Sequence, residues 1–156
     1  MAKIVDLDHK WALMIGRVFI AFGAIEKLTH DCLIEWLKDP IYEHLKSSRL
    51  STRIDLVIEL VKAKDFKSDN VENFITLLNR AKKLAEKRNL LAHNPLLLDL
   101  FAGEFQEIIQ SNLKDDVYMT FEELVRIVEE SEAMEGLLIE AKVMFKLEDW
   151  QDIRTL

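Results

Sequence analysis

The chain holds one cysteine, two prolines and four glycines among 156 residues. A lone thiol, Cys32, builds no internal disulfide framework and gives no sign of an oxidising compartment. It also excludes a zinc site made of cysteine pairs. So little proline and glycine excludes a collagen-like, low-complexity or turn-rich all-β chain. Gly-x-Gly-x-x-Gly, a Walker loop and Gly-x-Ser-x-Gly are missing, and with them the apparatus of nucleotide hydrolysis and serine esterase chemistry. Glu-x-x-His, which a di-iron bundle needs on two helices, does not occur, so Glu26 and His30 read as an ordinary helix pair. No metal and no cofactor are expected. The longest apolar stretch, 11–25, is broken by Arg17 and falls short of the roughly 20 residues a membrane span needs. With Lys3 and Lys10 ahead of it the stretch imitates a signal peptide, but Arg17 lies inside it and no small-residue cleavage site follows. The expectation is a cytoplasmic chain with no membrane partner.

What is present is apolar residue (49%) and charge (31%) in the proportions of a helical globule with one core. The net charge of −7 is unevenly spread. Residues 1–98 carry 16 Lys and Arg against 13 Asp and Glu, whereas 99–156 carry 5 against 15. An acidic chain is a poor non-specific binder of nucleic acid, because phosphate affinity comes from cations. Only the first part offers a local basic surface.

Periodicity predicts the elements. A helix over 8–38 places Trp11, Ile15, Val18, Phe22, Ile25, Cys32 and Trp36 along one seam, with Thr29 filling the gap. Asp39-Pro40 ends it, and 42–46 forms a short helical turn. A second helix, 51–64, opens on Ser51 as N-cap and buries Ile54, Val57, Ile58 and Val61. A third starts at Ser68 or Asp69 and runs to Asn94, where Pro95 stops it. Leu96 to Ile109 reads as a small β-hairpin or an irregular excursion around Ala102-Gly103-Glu104. Thr120 with Glu123 makes a capping box that opens a last helix to about 147, carrying Leu124, Val128, Leu138, Ala141 and Phe145. The expected fold is all-α: one domain over 1–156, a four- to five-helix up-and-down bundle, with the hairpin between the third and last long helices.

One charge contradicts its own helix. Phe74, Leu77, Leu78, Ala81, Leu84, Ala85, Leu91 and Ala92 form an apolar stripe, and Arg88 lies on its centre line. A guanidinium there is costly unless paired or wetted. Its structural explanation is a salt bridge to an acid of the first helix such as Glu26, holding register. Asn89 follows directly, and His93 sits in the last helical turn. Asn89, one turn before His93, lies on the imidazole's side and is placed to hold one tautomer. A helix-end histidine alone usually offsets the helix dipole. The stretch 79–93 is also the most basic of the chain, with Arg80, Lys82, Lys83, Lys87 and Arg88 against Glu86.

Arg88-Asn89, three residues, then His93, at the end of a long helix, resembles the signature of the HEPN superfamily: an Arg, four to six residues, then His, commonly with a polar residue after the Arg. The likeness extends to a long first helix bearing Phe22-Gly23-Ala24-Ile25-Glu26 and to a closing helix. It implies a metal-independent endoribonuclease of toxin–antitoxin or phage-defence type, with a composite site where two motif helices face one another in a homodimer. His93 would deprotonate the ribose 2′-hydroxyl, Arg88 would stabilise charge on the phosphoryl oxygens, and Asn89 would orient substrate or His93. Lys83 and Lys87 become candidate contacts to the RNA backbone, and Glu26 structural support for Arg88. RNA and an antitoxin protein are the implied partners; DNA is not expected. Some family members carry a Tyr two residues after the His, where this chain has Pro95. The alternative from another class is a non-catalytic helical dimer that binds RNA or protein. Cys32 is expected to be inert core, His9 and His44 have no evident partners, and Trp11, Trp36 and Trp150 are expected to pack rather than stack on bases.

Overall fold

A computed structural model describes residues 8–37, 39–64, 66, 70–101 and 103–154, with positions 39, 101, 145 and 147–154 as backbone only. Lys3, Ser68, Asp69 and Ala102 lie outside the described residues, as do the side chains of Phe145 and Trp150.

Five helices and three strands follow in order: α1 Lys10–Trp36, α2 Asp39–Leu45, α3 Leu50–Ala63, α4 Asn70–His93, β1 Leu96–Phe101, β2 Glu104–Gln110, β3 Tyr118–Thr120 and α5 Phe121–Arg154. The fold is therefore a helical bundle with a small antiparallel sheet, not strictly all-α. No helix among the described residues is long and apolar enough to cross a membrane.

The α1 seam packs as its spacing predicts. Trp11, Val18, Phe22, Ile25, Thr29 and Cys32 are buried against α3, α4 and α5, while Ile15 and Trp36 are half-covered. Leu50, Ile54, Val57, Ile58 and Val61 of α3 enter the same core, as do Phe74, Leu77, Leu78, Ala81, Leu84, Ala85 and Leu91 of α4. Ala92 does not; it is exposed, although Leu91 beside it is buried. Ser51 is not the cap of α3. The helix begins one residue earlier, after Arg49 in extended conformation with no side-chain cap bond. Pro40 sits in the first turn of α2, where its missing N–H costs nothing. At α5 the capping signal is met on one side: Thr120 Oγ1 accepts the Glu123 N–H at 3.2 Å. That helix continues to Arg154, beyond the predicted end near 147.

Between α4 and α5 the hairpin forms, with Leu96 opposite Ile109 and Phe101 opposite Glu104. Gly103, at the head of β2, has a φ of 90°, which glycine adopts without strain. β3 adds a third strand through Ile109 opposite Met119, and both side chains are buried in the core. Trp11 Nε1 donates to Glu107 Oε2 at 2.9 Å, fastening the start of α1 to β2.

The charge asymmetry has a structural partner. The acidic α5 lies along the basic α4, with Arg80 to Glu130 at 2.9 Å and Lys87 to Glu123 at 2.7 Å. Arg17 of α1 grips Glu132 with two bonds of 2.7 and 2.6 Å. Each exposed pair contributes little alone, because water screens it; together they fix which faces meet.

Burial pushes the Cys32 thiol up to about 11. In the native protein Cys32 should resist iodoacetamide at pH 8, reacting within minutes only once urea unfolds the chain. Mass spectrometry of the alkylated protein checks this, and rapid native labelling would contradict it.

A candidate anion cleft at the end of α4

Three helices converge on one carboxylate. Glu26 of α1 accepts from Arg88 Nη2 of α4 at 2.8 Å and pairs with Arg53 Nη2 of α3 at 3.4 Å. Arg53 is 5% exposed. Its Nε reaches Thr29 Oγ1 at 3.3 Å, and its Nη1 donates to the Ser48 carbonyl. Thr29 in turn donates to the Glu26 carbonyl at 2.7 Å, so the gap in the α1 seam is a hydrogen-bonding station. Arg88, with 20% of its side chain exposed, lies over the Phe22 ring at 5.4 Å and the Phe19 ring at 5.8 Å. Its Nε is buried without a hydrogen-bond partner among the described residues. The guanidinium on the stripe is thus accommodated inside one chain, by one carboxylate and two aromatic faces.

This cluster forms a wall of an open cleft of about 720 Å³. Arg49, Arg53, Lys82 and Arg88 supply four cations there, against Glu26 and Glu86, and Lys82 is itself paired with Asp55 of α3 at 2.6 Å. Asn89 and His93, both exposed, open into the same cleft, so the motif residues share one space although a regular helix turns Arg88 and His93 apart. Among the described residues no hydrogen bond joins Asn89 to His93; the tautomer-holding contact expected from their spacing is not made. The last turn of α4 is held through its backbone instead. Asn112 Nδ2 donates to the His93 carbonyl at 3.3 Å, Asn94 Oδ1 accepts the Asn112 N–H at 2.8 Å, and Asn94 Nδ2 returns to the Leu90 carbonyl at 2.9 Å.

Lys83 and Lys87 are not brought to this cleft. They lie on the α5 side of α4, in a hollow shared with Glu123 and Glu130, where Lys87 is paired. The apolar stripe of α4 does not face a second chain either: it is consumed in the chain's own core. The cation that sequence reasoning missed is Arg53, and its signal was the one that marked Arg88. It stands between Leu50 and Val57 on the apolar stripe of α3, where a guanidinium needs a partner. Beside it the His30 ring is held below its ordinary pKa by burial and by the Arg53 charge, and its Nδ1 lies 3.2 Å from the Tyr42 hydroxyl. Among the described residues no three His, Cys, Asp or Glu side chains converge as metal ligands.

The chain matches no known protein family, no curated protein and no solved structure in the comparisons made.

Arg53→Ala leaves Thr29 Oγ1 and the Ser48 carbonyl without their donor while Glu26 keeps Arg88, and should lower stability by about 1–3 kcal/mol. Urea unfolding followed by circular dichroism reads this as a fall in midpoint at unchanged slope, and an unshifted midpoint would refute the account.

Proposed function

We propose that the chain is a metal-independent endoribonuclease of the HEPN type, working at this cleft as a homodimer. The observation that carries the reading is that Arg88, Asn89 and His93 open into one cleft in which cations outnumber carboxylates, as a phosphate chain requires. In this mechanism His93 takes the proton of a ribose 2′-hydroxyl. The 2′-oxygen attacks the adjacent phosphorus, the bond to the 5′-oxygen breaks, and that oxygen takes a proton from water as His93 releases its own to solvent. The products are a 2′,3′-cyclic phosphate and a chain that leaves with a free 5′-hydroxyl. Arg88, turned toward the phosphoryl oxygens from a site already dehydrated by Phe22, stabilises the charge that builds on them. Arg49, exposed on the rim of the cleft, holds flanking phosphate.

A second copy has a seat on the outer face of α1. Leu13 and Ile20 are exposed there, Ile20 to 78%, and Phe19 links that face to the Arg88 guanidinium. One observation favours the non-catalytic alternative, a module that binds RNA or protein without cutting. Arg88 is already neutralised by Glu26 at 2.8 Å, as a purely structural arginine would be.

Cleavage separates the two. With EDTA present, the purified protein should cut single-stranded RNA and leave cyclic-phosphate ends, and Arg88→Ala or His93→Ala should each cost about 100-fold or more. Binding without cleavage would establish the module, and equal cleavage by wild type and both variants would point to a contaminant.

Sedimentation tests the docking face. Wild type should sediment as a dimer, whereas Ile20→Asp should yield a folded monomer with much reduced cleavage. A monomeric wild type that cleaves at full rate would remove the second copy from the mechanism.

A further inference from the structure

Glu86, Asn89 and His93 rise in a row along one face of α4, and a second hollow, about 600 Å³, opens on the far side of that ridge. Its chemistry differs from that of the cleft. Leu90, Leu113 and Val117 give it apolar walls, while Asn89, Ser111 and Asn112 supply neutral polar groups. The one cation on its rim, Lys87, is already bound to Glu123 at 2.7 Å. Leu113 stands over the opening, 92% exposed, although its backbone is fixed: its N–H donates to Ser111 Oγ at 3.2 Å. The loop that carries it is closed by Ser111 N–H to the Val117 carbonyl at 2.8 Å. An isobutyl group held in water by an ordered loop, beside amides and next to the proposed general base, is unexplained by the packing of the fold.

Single-stranded RNA alternates a charged backbone with flat bases whose faces are apolar and whose edges donate and accept hydrogen bonds. The two hollows present the complementary order: guanidinium groups, then the imidazole on the ridge, then apolar walls with amides. We propose that the second hollow is a nucleobase subsite. The RNA strand crosses the ridge with a phosphate on the Arg88 side and a neighbouring unstacked base under Leu113, its edge met by Asn112 and Ser111. Base preference at the cut then comes from the β2–β3 loop and not from the helix that bears the motif. This inference rests on the ribonuclease reading and adds to it the part of the substrate that lies beyond His93.

Uncharged probes isolate the hollow from the cationic cleft. In NMR titrations of the full chain with adenosine, guanosine, cytidine and uridine, at least one nucleoside should shift the Leu113 and Val117 methyls and leave Arg49 unmoved. Inorganic phosphate should do the reverse. Leu113→Ser, at a position too exposed to endanger folding, should weaken nucleoside binding about fivefold through lost apolar cover. If no nucleoside shifts residues 111–117, or if Leu113→Ser leaves the affinity unchanged, the subsite is overturned even where RNA is cleaved. Nucleoside binding at the loop in a chain that cleaves no RNA would instead overturn the ribonuclease reading and leave the subsite standing.

Discussion

A single carboxylate between two guanidinium groups is the constraint on which the rest of the structure depends. Glu26 belongs to α1, Arg53 to α3 and Arg88 to α4. Apolar burial holds these helices together but has no direction, so sliding one by a turn would cost it comparatively little. The charged triad admits one register only, because any slip leaves a guanidinium buried without its acceptor. The same groups that fix the packing of α4 also aim its C-terminal turn. The position of His93 in space is therefore set partly by a residue 67 positions earlier in the chain.

The long acidic helix extends this logic over the surface. A chain with a basic first part and an acidic second part would bind itself indiscriminately if the two signs were not assigned to facing surfaces. Here α5 meets Arg80, Lys87 and Arg17 with Glu130, Glu123 and Glu132. On the other side of α4 the cleft's cations are answered by carboxylates of α1 and α3 instead, Arg88 and Arg53 by Glu26 and Lys82 by Asp55 at 2.6 Å, while Arg49 stands exposed on the rim. Net acidity of the whole molecule and a cleft whose cations outnumber its carboxylates are thus compatible.

How much of this was legible in the sequence follows from how local each signal is. Helical periodicity named the core of α4 and most of that of α3, because a stripe at 3.6 spacing needs no knowledge of what it packs against, but in α1 it passed over Ala21, Leu28 and Leu33, which a helix packed on several sides also buries. The misplaced Arg88 and the acid expected to answer it, Glu26, were both readable for the same reason. Arg53 stood in equal contradiction to its stripe, yet it sits in a short helix with no motif beside it. β3 escaped notice because three residues, Tyr118 to Thr120, carry no period, and the strand exists only through pairing with β2. The basic run on α4 misled about Lys83 and Lys87, since a count of charges along a helix cannot say which face an acidic neighbour will occupy. The pairing of Asn89 with His93 failed for a related reason: one helical turn brings two side chains near each other, but a hydrogen bond also needs rotamers that agree.

The clasp formed by Asn94 and Asn112 has a further consequence. Helix ends ordinarily fray, with their terminal carbonyls left to water. Here the final carbonyl of α4 is claimed by a loop of the sheet, and the sheet itself leaves Leu97, Leu98, Leu100 and Phe105 outside the core. β1, so exposed, opens at lower free energy than the helices, while Ile108, Ile109 and Met119 hold β2 and β3 in the core. Warming or mild denaturant that loosens the β2–β3 loop would free the His93 backbone carbonyl from Asn112 while the bundle still stands. Loss of the site and loss of the fold would then be two separate events in this molecule, in that order.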